Sequence, residues 1–367
     1  MTPANRTTAE PSTVPLPTQH PPPAAPTGPS PEAPTAPTGP SPKAPYRIGR
    51  VRAVARVLAI VSCVPYVGLK TAWMAGSRVG IPDGSPLLDA DAVLVVGNAA
   101  TVLLDGCVVV LALLLTRPWG LRVPAWLLVL PMWVASGLLL PIMTAYPLQL
   151  VVRLLGGDGG GGGGDPFLEP WVFGVVYGGF IVQGLALGTL FALYARERWG
   201  HLWQGRLREL PRTPSSSVLR VTAVAAALLA LAPGLVHLFW AAGSTAGLNS
   251  GRVAGRSSDF FVLEAVNALF VGVAVAGVLL LAFRRGGRLP LRVPLLLVWT
   301  GSAQVVCWGG WLSLAALVGA GDVADRPTTV MVLIYAGQML VGTLIALPAA
   351  HLLAERAAAS GTSGSHT

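Results

Sequence analysis

VPYVGLKTAWMAGSRVG, residues 64–80, is the stretch on which the reading of this chain turns. It sets one lysine, Lys70, in a run that is otherwise apolar, three residues before Trp73. That run covers about residues 52–76, longer than the ~20 residues a helix needs to cross a bilayer. Lys70 lies about six residues, or about 9 Å, below one end of it. Two roles fit a cation there. It can snorkel to the interface beside Trp73, or it can be a working charge inside the membrane.

The same element returns as LAPGLVHLFWAAGSTAG at 231–247. Trp73 matches Trp240, Gly76-Ser77 matches Gly243-Ser244, and Gly80 matches Gly247, all at an offset of 167. Pro65 and Pro233 agree after a one-residue slip, and Lys70 falls on His237. Downstream, GLRVPAWLLVLPMWVAS (120–136) aligns with GGRLPLRVPLLLVWTGS (286–302) at an offset of 166, pairing Trp133 with Trp299 and Ser136 with Ser302. A third match, at an offset of 158, pairs Tyr177 with Tyr335, Gly184 with Gly342 and Arg198 with Arg356. Offsets that drift in loops and hold within helices are what insertions after a duplication leave.

Composition agrees with a lipid setting. Of 367 residues, 53% are hydrophobic and 11% charged. Soluble domains carry about a quarter charged residues. Cys63, Cys107 and Cys307 all lie in apolar runs with no CxxC or Cys/His spacing, so they read as small buried hydrophobes.

Eight apolar runs follow one another: about 52–76, 92–115, 123–146, 171–195, 218–242, 260–283, 293–317 and 328–354. Open sheets leave backbone groups unpaired in lipid, and the runs exceed the ~10 residues of a barrel strand. The fold expected is therefore all-α, a polytopic transmembrane helix bundle of two parallel four-helix repeats. Residues 47–195 and 218–356 form the repeats, and 196–217 link them as a helix lying at the interface. Each half enters and leaves on one side, so the repeats should be related by a pseudo-two-fold axis along the membrane normal.

Charge sets the orientation. Of the 25 lysines and arginines, one set of breaks holds Arg78, Arg153, Arg252, Arg256 and Arg326. Apart from Lys70, the remainder fall in the tail, the other breaks and the C-terminus. The positive-inside rule then puts both termini in the cytoplasm of a multi-pass protein of the cell membrane. The sparser set carries acidic residues, among them Asp89, Asp165, Asp322 and Asp325. The net charge of +9 is a matter of topology and needs no nucleic acid.

Residues 1–46 are rich in Pro, Ala and Thr, and repeat APTGPSPEAPT (25–35) as APTGPSPKAP (36–45). They are expected to be a disordered tail able to dock a cytoplasmic partner. No signal peptide is expected, since the first apolar run starts after residue 50. Residues 357–367 are expected to be a second disordered tail. The run GGDGGGGGGD (156–165) lacks the Lys-Ser/Thr of a phosphate loop and reads as a linker.

Polar side chains inside the spans are the candidate site. Asn98, Thr101 and Asp105 share one face of the second span, with Asp105 close to the midplane. Glu264 and Asn267 lie near the matching end of the sixth span, and Asn98 corresponds to Asn267. Lys70, Asn98, His237, Glu264 and Asn267 then form one layer, expected to line a polar cavity between the halves with Asp105 as its floor. Gly174, Gly178, Gly184 and Gly188 make two GxxxG pairs suited to close helix packing, and Gln183 and Gln338 can donate across helices. No second positioned histidine accompanies His237, so neither a metal nor a cofactor is expected.

PYxxLKxxW followed by AGS, the WGxRxP opening of span three and the Pro/Ala tail resemble multi-spanning membrane proteins of actinobacteria. That family carries no known activity, so no catalytic residue follows from the resemblance. Three functions stay open: secondary transport of a small solute or ion, a non-catalytic accessory, sensor or scaffold, and a lipid-modifying enzyme. The last has the least behind it, because no HExxH, GxSxG or nucleotide-binding motif occurs.

Overall fold

The computed structural model describes residues 49–83, 85, 91–158, 168–210, 215–318 and 326–363. All belong to the unit Tyr46–Thr367. The tail 1–46, most of the glycine run and Asp89, Asp165, Asp322 and Asp325 lie outside the described residues.

The described residues form ten α-helices and no strand: α1 Arg50–Val61, α2 Cys63–Met74, α3 Asp91–Leu114, α4 Ala125–Leu154, α5 Pro170–Trp199, α6 Ser215–Ala241, α7 Ser250–Ala254, α8 Ser258–Phe283, α9 Arg292–Val318 and α10 Thr329–Ser363. Taking α1 and α2 as one span, eight are long and apolar enough to cross a membrane. The chain is an all-α polytopic helix bundle and an integral membrane protein. Pro65 explains the break at Ser62: its ring crowds the carbonyl four residues back, at Val61, where α1 ends. Pro131, Pro141 and Pro147 sit inside α4 without ending it. Helices in lipid tolerate this because neighbours and side chains satisfy the freed groups.

Three boundaries differ from the sequence reading. α4 runs to Leu154 rather than stopping near 146, and its end is held where Arg153 clamps Asp259 at the start of α8. α10 runs to Ser363 through the segment expected as a tail, over an Ala-rich stretch that favours helix. The linker expected as an interfacial helix is two 3₁₀ turns, Gly200–Trp203 and Leu207–Glu209. Gly205, at φ 96°, breaks it, and its backbone pairs with the 284–292 segment instead: Leu207 N–H donates to Leu289 and Leu291 N–H to Gly205.

Loop contacts sort onto two faces. On the linker face, Arg52 pairs with Glu197 at 2.7 Å, Arg198 reaches the Val123 carbonyl and Arg284 the Leu210 carbonyl. On the opposite face, Glu169 N–H donates to Gly80, Asn249 to the Arg326 carbonyl, and Arg153 to Asp259.

The turn after α2 and the turn after α6 are built alike. Trp73 Nε1 donates to the Val79 carbonyl at 2.8 Å, and Trp240 Nε1 to the Ala246 carbonyl at 2.9 Å. Gly80 at φ 73° lies against Val172, and Gly247 at φ 78° against Val330. Both tryptophans are buried. Trp73 is thus a clamp on its own turn rather than the lipid-interface residue it resembled in sequence.

Between the halves, α4 packs on α8 and α9. Gly137 meets the backbone of Ala303, and a Cβ there would stand 2.2 Å from the Ala303 oxygen. Trp133 Nε1 donates to Ser302 and Trp299 Nε1 donates to Ser136, each at 3.3 Å. Each of these residues has its counterpart 166 positions on, so the contacts are exchanged between equivalent positions. α3 and α8, which match in order, are buried to different extents. In the most apolar window of α8, 56% of residues are buried, against 28% in α3.

Candidate functional site

The candidate polar side chains of the spans fall into separate groups. In the first half, Lys70 on α2 donates to Asn98 Oδ1 on α3 at 2.8 Å. Its ammonium stands 5.1 Å from the centre of the Tyr66 ring and 4.9 Å from that of Trp73. Aromatic faces carry partial negative charge and stabilise such a cation. Lys70 is only half-buried, so it keeps both an interior partner and a way to the interface. The Thr101 hydroxyl bonds its own helix at the Gly97 and Asn98 carbonyls.

One turn deeper than Thr101 is Asp105, in the middle of its span. Gln183 Nε2 on α5 donates to Asp105 Oδ1 at 3.1 Å. Asp105 is 4% and Gln183 2% exposed. Lys70, Asn98, Thr101, Asp105 and Gln183 therefore make one seam that runs from the opposite face to mid-membrane.

In the second half, His237 on α6 and Glu264 on α8 are both 1% exposed, and His237 Nδ1 lies 2.5 Å from Glu264 Oε2. Gln338 on α10 closes the other side, with Nε2 at 2.9 Å from His237 Nε2. Trp240 packs edge-on to the imidazole at 5.5 Å. The short helix α7 explains how a loop arginine reaches this group. Asn249 caps α7 by accepting from Arg252 N–H at 2.9 Å, which fixes the turn that carries Arg252. The Arg252 guanidinium then stands 3.7 Å from Glu264 Oε1.

Hydrogen-bond chemistry gives this group two arrangements. With Nδ1–H donating to the carboxylate, a neutral imidazole accepts from Gln338 Nε2, and Gln338 Oε1 is left buried without a partner. Add a proton to His237, and Nε2–H needs an acceptor, which Gln338 Oε1 provides once the amide turns over. The carboxylate of Glu264 compensates the imidazolium directly.

Asn267 stands apart from both groups: it accepts from Gln304 Nε2 on α9 at 2.8 Å. The layer expected around one space between the halves is thus divided. Lys70 meets Asn98, His237 meets Glu264, and Asn267 meets Gln304, with Asp105 held by Gln183. Two surface hollows are lined mostly by apolar residues, Leu279 and Phe283 in one and Val54 and Leu58 in the other. Among the described residues, no three His, Cys, Asp or Glu gather in a way that could hold a metal ion. Cys63 is buried, Cys307 is half-buried and Cys107 is exposed on α3, so the expectation of three buried thiols holds for one.

The glycines of α5 divide as well. Gly184 receives Met143 from α4 and Gly174 lies near the Tyr146 hydroxyl, while Gly178 and Gly188 have no neighbour within 4 Å of a Cβ position. Backbone-tight packing occurs instead at Gly137, Gly277, Gly301 and Gly342. Arg252 and Gln304 are the site residues the sequence reading passed over. Gln304 carried a signal, a full amide inside an apolar run. Arg252 carried none, because it lies outside the apolar runs, on the short helix α7.

No known protein family, curated protein or solved structure matches this chain.

Proposed function

We propose that this protein is a proton-linked secondary transporter of a small solute or ion. The observation behind this reading is the His237–Glu264 pair with Gln338 and Arg252 around it. Ionisable groups at such depth are costly in lipid, and His/Glu chains are the means by which membrane proteins carry protons. The group has two hydrogen-bonded arrangements that differ by one proton, and Arg252 connects it to a loop. The matched contacts about Gly137 and Ala303 support the further reading of two parallel halves that rock about a pseudo-two-fold axis. With that arrangement, the arginine-rich linker face is cytoplasmic by the positive-inside rule.

Purified protein in liposomes loaded with a pH-sensitive dye tests this. A potassium diffusion potential set with valinomycin supplies the drive, and a panel of inorganic ions, amino acids and sugars is added outside. Wild type should change lumenal pH with at least one of them, and Glu264→Gln and His237→Leu should not. Equal traces from wild type, both variants and empty liposomes across the panel would overturn the reading.

A second reading, a non-catalytic accessory, sensor or scaffold, draws on a different observation. The polar side chains pair with one another inside each half, and the halves interlock through Trp133, Ser302, Trp299 and Ser136. Crosslinking in membranes with and without residues 1–46 separates the two, since a scaffold that docks partners on its tail loses them when the tail is cut.

A further inference from the structure

Asp105 and Gln183 share one hydrogen bond and leave two oxygens over. Asp105 Oδ2 and Gln183 Oε1 are both buried and accept nothing. An ionised carboxylate can only accept, so with Asp105 charged both oxygens are acceptors lacking a donor. Tyr66 and Cys63, both on α2, interact electrostatically with Asp105, and neither brings a positive charge. Cys63 spends its thiol on the Ala59 carbonyl. From α5 the partner is Gln183, and Lys70 is bonded to Asn98, two helical turns from Asp105 along α3.

The matching place in the second half has no polar group. Asp105 stands seven residues after Asn98, and seven after Asn267 is Ala274. Gln183 corresponds to Val341 at the offset of 158. Ala274 and Val341 are both buried in one apolar core cluster. The fold therefore closes at this point with apolar side chains alone, and the first half keeps a carboxyl there for some other reason.

We propose that Asp105 and Gln183 form a proton-binding site in the middle of the first half. One proton on Oδ2 turns that oxygen into a donor. It then donates to Gln183 Oε1 while Gln183 Nε2 donates to Oδ1, a closed acid–amide ring that satisfies every polar atom of the pair. Tyr66 and Thr101 lie between this ring and the Lys70–Asn98 pair, so the proton's approach is from the opposite face. Nothing in this depends on transport, and its readouts are spectroscopic and structural.

The test uses the full chain in lipid nanodiscs. The infrared band of a protonated carboxyl should be present at neutral pH, lost in Asp105→Asn and kept in Glu264→Gln. Asparagine repeats both hydrogen bonds of the protonated acid, so Asp105→Asn should unfold at or above the wild-type temperature, whereas Asp105→Ala and Gln183→Leu should unfold below it. On wild type, a lipid-soluble carbodiimide at neutral pH should modify Asp105, read by peptide mass spectrometry. No adduct at Asp105, or a carboxyl band unchanged in Asp105→Asn, would overturn the proposal. Wild-type unfolding that rises with sodium, and does so no longer in Asp105→Asn, would overturn it in favour of a metal cation.

Discussion

Gly137 lies against Ala303, and the two are the same position counted 166 residues apart. On the proposal of two parallel halves, a residue that meets its own counterpart would stand on the axis relating them, as at an isologous dimer contact. The flanking Trp133–Ser302 and Trp299–Ser136 bonds are the off-axis pairs that such a contact brings with it. Without a hydrophobic drive between helices in lipid, small residues and hydrogen bonds set such contacts.

Gly137→Ala should therefore destabilise the protein. The new methyl would meet backbone, at 2.2 Å from the Ala303 oxygen, and backbone gives little. Overpacking of this kind costs about 1–3 kcal/mol. Gly178→Ala is the control: no atom lies within 4 Å, and alanine favours the helix by up to about 1 kcal/mol. Denaturant unfolding in detergent should separate the two variants in sign.

The turns after α2 and α6 make a matched pair. Gly80 and Gly247 both have positive φ and both press on a valine. Alanine at either should lower stability by more than the ~1–2 kcal/mol of the left-handed conformation alone. Comparable shifts in unfolding temperature for the two are expected. A loss confined to one turn would mean that the turns carry unequal load.

How much of this was legible in the sequence depends on what apolar runs encode. The eight spans were, because length and hydropathy report them directly. The doubled Trp-Gly-Ser turn was, because Trp and Gly seldom recur in order by accident. The partners of the polar residues were not. A helix apolar all round does not tell which face turns inward. The sequence sets Asn267 beside Glu264, its neighbour on the helix, and its bond is to Gln304 on α9. For the same reason the GxxxG spacing of α5 pointed to four contacts, and Gly178 and Gly188 make none.

His237 and Glu264 should be strongly coupled. Removing one partner of a buried pair leaves the other without compensation, at a cost of about 3–5 kcal/mol. His237→Leu and Glu264→Leu should each destabilise on that scale, and the double variant should lose less than their sum. A double-mutant cycle from unfolding curves measures this. Additive losses would show the two side chains acting independently.

Arg153 and Asp259 should behave otherwise, although they too bridge opposite charges. The Arg153 side chain is 42% exposed, so solvent screens the pair. Arg153→Ala is expected to cost about 0–1 kcal/mol, and the difference should shrink as salt is raised. Unfolding at low and high ionic strength checks it.

The contact between Trp133 and Ser302 spans 169 residues of chain. At about 5–20 residues per second, a ribosome takes about 8–34 s to travel that distance. For that interval α4 stands in the bilayer with Gly137 bare and the Trp133 indole unanswered. Helices α1 to α5 are therefore made before α9 exists, and during synthesis α4 is open to any other helix that offers a small residue and a hydroxyl.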